Sequence, residues 1–105
     1  IVEDFDLKKS KKGIRVKNIS SSQIKPAAPG NVVYAGSGLR GYGNLVIIKH
    51  SDNMLSAYAN NKEIIVEVGQ SVSQNDAISR LDKNQIIYFE IRRDGSPVDP
   101  LRYLK

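Results

Sequence analysis

Four glycines within eight residues, Gly36-Ser37-Gly38-Leu39-Arg40-Gly41-Tyr42-Gly43, separate two apolar runs and limit most strongly what this chain can form. That density disfavours a regular element and requires backbone freedom or close approach. Val32-Val33-Tyr34-Ala35 precedes it and Leu45-Val46-Ile47-Ile48 follows it. After the turn Ser51-Asp52-Asn53 comes a third run, Met54 to Ala59. Short apolar runs bounded by turn residues predict three successive β-strands.

The flanks read the same way. Ile14-Arg15-Val16-Lys17 alternates apolar and charged residues, the mark of a half-buried strand. Pro26 to Asn31 holds a Pro-Gly turn signal leading into the strand at Val32. Further strands are expected over Glu63–Val68, around Val72, over Asp76–Leu81 and over Gln85–Arg93, and Asp94-Gly95 marks a hairpin-like turn. One helical turn is expected after Pro100. No window sustains a 3.6-residue apolar period. Seven or eight short strands therefore argue an all-β fold, an antiparallel sandwich or flattened open barrel. Residues 1–12 read as a flexible lead-in and residues 13–105 as one domain, which suits 105 residues with 40% hydrophobic content.

Charge is unevenly placed. Of the net +5, residues 1–50 hold nine Lys or Arg against three Asp or Glu, mostly within Lys8 to Lys17. Such a cluster suits an anionic partner, or serves as a solvated strand edge kept soluble by lysines. Nucleic acid is the weakest partner class, because the tyrosines are not grouped with the basic cluster as a stacking platform requires. No apolar run approaches the ~20 residues of a membrane helix. The first six residues, Ile1 to Asp6, resemble no signal peptide, and the absence of an initial Met suggests a fragment or processed form. Without cysteine there are no disulfides or thiolate metal sites.

Catalytic signatures are sparse. His50 is the single histidine, and a zinc site without cysteine would need carboxylates beside it. A structural hydrogen-bonding role is expected for it. Counting leaves room for a Ser-His-Asp arrangement, but no nucleophile elbow accompanies it. The glycine cluster matches neither GxGxxG nor a P-loop. The residues by themselves describe a non-enzymatic β domain.

The runs VVYAGSGLRGYGNLVIIKHSDNMLSAYAN, VEVGQSVSQNDAIS, IIYFEIRRDG and PVDPLRYL together resemble the LytM, or lysostaphin-type, zinc peptidase domain, nearest its NlpD and EnvC group. The resemblance implies a LytM-like β fold with a groove. Active members hold zinc with an HxxxD pair and the second His of HxH, and two further histidines assist. Here the first motif falls on Lys11 and Arg15, the histidine after the SAYA strand is Asn60, and HxH falls on Ile86 and Tyr88. Arg and Lys bring positive charge where a dication needs lone pairs, and Ile86 has none. The resemblance thus implies a domain without metal, cofactor or catalysis.

What it implies instead is recognition. Strand alternation puts Tyr88, Glu90 and Arg92 on one face, and Ser56, Tyr58 and Asn60 on another. Family geometry would line the groove with these together with Lys11, Arg15 and Ile86. Tyr58 could equally be core, and Glu90 a buried partner of an arginine. The NlpD and EnvC likeness implies binding and activation of a periplasmic N-acetylmuramoyl-L-alanine amidase during cell separation. It also implies a periplasmic location, with an outer-membrane anchor in the full-length protein. A peptidoglycan-binding module without amidase activation is the alternative.

Overall fold

The computed structural model describes residue 6 and residues 12–17, 23–51, 53–82 and 85–100. The expected lead-in therefore lies largely outside the described residues, as do Lys11 and the helical turn expected after Pro100. Ten strands are described: β1 (Ile14–Lys17), β2 (Gln23–Ile24), β3 (Gly30–Gly36), β4 (Asn44–Lys49), β5 (Met54–Asn61), β6 (Glu63–Ile64), β7 (Ser71–Val72), β8 (Ser79–Arg80), β9 (Ile86–Arg93) and β10 (Ser96–Val98). All pairings are antiparallel. The large sheet runs β1-β9-β5-β4-β3-β7, with β10 continuing along β9, and the small one runs β2-β8-β6. The fold is all-β and antiparallel, and the large sheet does not close into a barrel.

The three runs around the glycine cluster are the consecutive strands β3, β4 and β5. Register then decides which side chains share a face, since opposed residues point the same way. Val46 faces Tyr58, Tyr58 faces Phe89, and Ile48 faces Ser56, which faces Ile91. With Ile14 opposite Phe89, these form the inner face. Ile24, Val66, Val72, Ile78 and Leu81 cover it and complete the core. Asn61 ties the layers: its Nδ2 donates to the Tyr58 and Asn44 carbonyls at 2.7 and 2.9 Å, while its Oδ1 accepts from Ser79 Oγ at 2.8 Å.

The strand expected over Glu63–Val68 is shorter than its apolar alternation suggested, ending at Ile64. Beyond it Ile65 N–H still donates to the Ile78 carbonyl, but then Gln70 N–H bonds the Glu67 carbonyl, Glu67 N–H bonds Gln70 Oε1 and Gly69 N–H bonds the Val32 carbonyl, so the pairing with β8 stops. Val66 is buried but Val68 is 63% exposed. Alternation there records one anchored valine rather than a strand.

His50 has the structural role expected of it. Its Nδ1 lies 2.8 Å from the Pro29 carbonyl, which only accepts, so Nδ1 carries a proton, and its Nε2 lies 2.7 Å from Ser56 Oγ. The Ser56 and Tyr58 hydroxyls are 2.8 Å apart, and the Tyr58 oxygen accepts from Ala27 N–H at 2.9 Å. This chain pins the Pro26–Gly30 turn onto β5. Tyr58→Phe should lower unfolding free energy by ~1–2 kcal/mol, because it strands the Ala27 N–H and one Ser56 partner. A urea titration reads this as a lower midpoint at unchanged slope.

Candidate functional site

On the opposite face of the large sheet Ala59 and Glu90 are buried, while Arg15, Lys17, Lys49 and Ile86 are exposed. Register brings Lys17 beside Ile86, Arg15 and Ala59 beside Tyr88, and Ala57 beside Glu90; Leu55 stands between Arg92 and Lys49, and Ile47 beyond Ala57. On β5, Ala57 is half-buried and Ala59 fully buried, beside the tall side chains of β9. At the Lys49 end the face opens into a depression of about 500 Å³ lined by Lys49, Asn53, Leu55, Asp94 and Gly95.

Glu90 organises this face. It is 4% exposed, and a carboxylate so placed needs compensating partners. Its Oε1 accepts from the Tyr88 hydroxyl at 2.7 Å and its Oε2 from Arg92 Nε at 2.6 Å. Glu90 is therefore the buried partner of an arginine. Burial, and then the hydrogen bond to Glu90, push the Tyr88 phenol well above the usual tyrosine range. The bond to Glu90 also raises Arg92. Around Tyr88 stand the Arg15 guanidinium, 5.6 Å from its ring centroid, and the Tyr42 ring at 6.1 Å. A guanidinium over a phenol face is a cation–π contact.

The raised tyrosines carry a pH dependence. Burial, ahead of hydrogen bonding, also pushes Tyr58 above its ordinary value of 10.0. Below that value both tyrosines are neutral whether the chain is folded or not, so their contribution to stability is fully present. As pH rises from ~10 the unfolded chain ionises first, and stability falls through the folded values. Denaturation at pH 9, 10 and 11 should show a decline starting near 10, smaller in Tyr58→Phe.

Of the residues singled out from sequence, Arg15, Ile86, Tyr88 and Arg92 share this outward face. Ile86 is 40% exposed. Asn60 is at the end of β5 with a left-handed φ of 65°; its N–H donates to the Tyr42 carbonyl at 2.9 Å and its carbonyl accepts from Gln85 Nε2. Tyr58 does not join them, and this corrects its assignment to the groove. Paired with Phe89, it shares the inner face, 3% exposed, with the two rings 5.2 Å apart. Ser56, opposite Ile91, lies inward too. Period-two alternation separates a strand's two faces without saying which is core. Tyr42 was missed, although a lone aromatic between Gly41 and Gly43, both at positive φ, is the signal that a loop presents a ring.

These residues do not fit a zinc ion. The arginine side chain has no lone pair to offer, and the Tyr88 phenol is held neutral, its proton committed to Glu90. Among the described residues no group of three or more His, Cys, Asp or Glu comes together as a metal site.

Comparison with known proteins supplies the lineage. The family model described as Peptidase family M23 matches residues 9–100. The chain is 46% identical over 97 residues to the lipoprotein NlpD/LppB homolog of Pseudomonas aeruginosa, covering 89% of this chain and 33% of that protein. It is 42% identical over 109 residues to the murein hydrolase activator NlpD of Escherichia coli, covering 99% and 29%. The chain thus spans a third or less of these two relatives' length. Among solved structures, the catalytic domain of the prophage-encoded M23 protein EnpA from Enterococcus faecalis superposes with a TM-score of 0.72 at 24% identity, covering 85% of this chain and 75% of that one, and so shares its fold.

Proposed function

The chain belongs to peptidase family M23, and we propose that it is a recognition module on that scaffold, one that binds and activates an N-acetylmuramoyl-L-alanine amidase in the periplasm. One observation carries this reading: where family members place an aspartate and a histidine on zinc, Arg15 covers the ring of a Tyr88 that is itself bound to Glu90. The fold is kept, while a guanidinium and an aromatic ring, groups enriched at protein interfaces, stand on the outward face. The relative's name, murein hydrolase activator, points the same way.

Residues 13–105 are proposed as the working unit and Arg15, Asn60, Ile86, Tyr88 and Arg92 as its contact set, with Lys11 joining them from outside the described residues. An activator shifts its partner toward an open form only by binding that form more tightly. Contacts on this face would supply the difference.

Dye release from labelled sacculi by a purified amidase, with and without this domain, tests the reading. A gain in turnover is expected. Arg15→Glu should reduce that gain more than tenfold with an unchanged circular dichroism spectrum, because Arg15 is exposed. Zinc or EDTA should leave the melting temperature where it is. Muropeptide cleavage by the domain alone, sensitive to chelator, would overturn the proposal. Salt-sensitive sedimentation with sacculi but no gain in amidase turnover would instead favour a peptidoglycan-binding module.

A further inference from the structure

We infer that the edge of the large sheet along β1, with Lys12 before it, Lys17 at its end and Ile86 level with Lys17, docks this domain on an anionic phospholipid bilayer. The inference goes beyond amidase recognition. It takes from that reading only the periplasmic placement, since a periplasm lies between two membranes. Charge is the starting point. Residues 7–51 hold nine Lys or Arg and no Asp or Glu, and six of the nine fall between Lys8 and Lys17. Glu3, Asp4 and Asp6 precede that run, which leaves residues 1–17 with six cations to three acids. Of the lysines in the run, Lys12 and Lys17 are described, and both are exposed. Arg15 is exposed as well, but its guanidinium lies against the Tyr88 ring. The neighbouring strand β9 contributes one acid, Glu90, which is buried and bound to Tyr88 and Arg92. No carboxylate of β9 therefore offsets the lysines at the surface.

Geometry turns this charge into a surface. Among the described residues β1 is the last strand of the large sheet on its side. Lys12 and Lys17 stand at its two ends, roughly 17 Å apart along an extended chain. A planar bilayer can meet such an edge along its whole length. Ile86, the first residue of β9, is the register partner of Lys17 and is 40% exposed. An exposed apolar side chain level with a lysine suits the boundary between headgroups and acyl chains: the isoleucine enters it while the ammonium stays among the phosphates. A hydrated wall polymer would engage the lysines and offer Ile86 nothing. Ile86 is thus what favours the bilayer over the polymer.

The chain has no tryptophan, so Ile86→Trp supplies a single fluorescent reporter at the proposed contact. Its emission should shift to the blue with phosphatidylcholine vesicles that contain phosphatidylglycerol, and stay in place with phosphatidylcholine alone. Val68→Trp is the control. Val68 is 63% exposed at the other end of the sheet, where Gly69 bonds β3, and a reporter there should not shift with either vesicle. Cosedimentation with the anionic vesicles should weaken more than tenfold in Lys12→Gln combined with Lys17→Gln, each cation near such a surface being worth about fivefold. Raising salt should weaken it steeply. Equal binding to neutral and anionic vesicles, unchanged binding in the double variant, an unshifted Ile86→Trp, or a shift as large in Val68→Trp each overturns the inference. Binding to sacculi that falls in the double variant, with no binding to vesicles, gives these lysines to the wall polymer and overturns it too. The amidase assay keeps the two readings apart. Activation without vesicle binding rejects the docking and keeps the activator, whereas vesicle binding without activation does the reverse.

Discussion

Glu90→Ala is expected to remove the proposed amidase activation and to cost the fold about 2–3 kcal/mol. Glu90 is buried, and both its oxygens are engaged, by Tyr88 and by Arg92. Breaking a fully buried ion pair from one side costs ~3–5 kcal/mol, because the remaining charge is left without compensation. The Arg92 side chain is 34% exposed, so water recovers part of that loss and the lower figure applies. Function should suffer more than stability. Without the carboxylate the Tyr88 hydroxyl and the Arg92 guanidinium lose their common anchor, and the face loses the arrangement that a partner would read. Urea denaturation and dye release measure the two effects separately. Glu90→Gln keeps an acceptor for Arg92 and should fall between the wild type and the alanine variant in both. An alanine variant as stable and as active as the wild type would show that the Tyr88–Glu90–Arg92 line is ornament.

Gly13→Val should have the larger structural effect. The residue is buried at the start of β1, where any Cβ would run into the Phe89 carbonyl oxygen and stand 2.8 Å from the ring carbon and oxygen at the tip of Tyr88. The phenol could swing aside, but only by leaving Glu90. The carbonyl belongs to the β9 backbone and has no such freedom. β1 is therefore expected to separate from β9, exposing Ile14, one of the most buried side chains of the core. Losing a buried isoleucine's packing alone costs ~2–5 kcal/mol, so the variant should either melt well below the wild type or lose β1 selectively. Amide hydrogen exchange distinguishes these outcomes: protection lost only along β1 and its partners on β9 means local detachment, loss throughout means global unfolding. Protection unchanged at β1 would mean that this close approach is relieved by an adjustment smaller than the geometry suggests.

Strands were legible wherever local chemistry and tertiary demand agreed. β3, β4 and β5 carry apolar runs bounded by glycine or Ser-Asp-Asn turns, and each forms within a residue or two of its expected limits. The reading overreached after Ile64, where Val66 and Val68 keep the alternation but the backbone closes a local turn instead. β10 went unread as a strand. Its Ser96-Pro97-Val98 pairs with β9 beyond the Asp94-Gly95 turn, and Pro97 demotes any reading of strand from sequence. β2 (Gln23–Ile24) also went unread, and like β10 it is a short segment whose hydrogen-bond partners lie elsewhere in the chain.

The candidate site divides along the same line. Apolar runs and turn residues pointed to an all-β chain, and its resemblance to the LytM zinc peptidases implied lysine, arginine and tyrosine where members that cut peptides hold metal, and asparagine and isoleucine where their assisting histidines stand. Those are properties of residue type and order, and they survive without coordinates. Which face each strand presents was a different matter. Tyr58 and Tyr88 are equally plausible groove residues in sequence, yet register turns the first onto Phe89 and leaves the second beneath Arg15. The burial of Glu90 and the approach of Arg15 to Tyr88 are likewise settled by packing between segments distant in sequence. A one-residue shift of register inverts every such assignment, and the contacts that fix the register are made only when the sheet assembles.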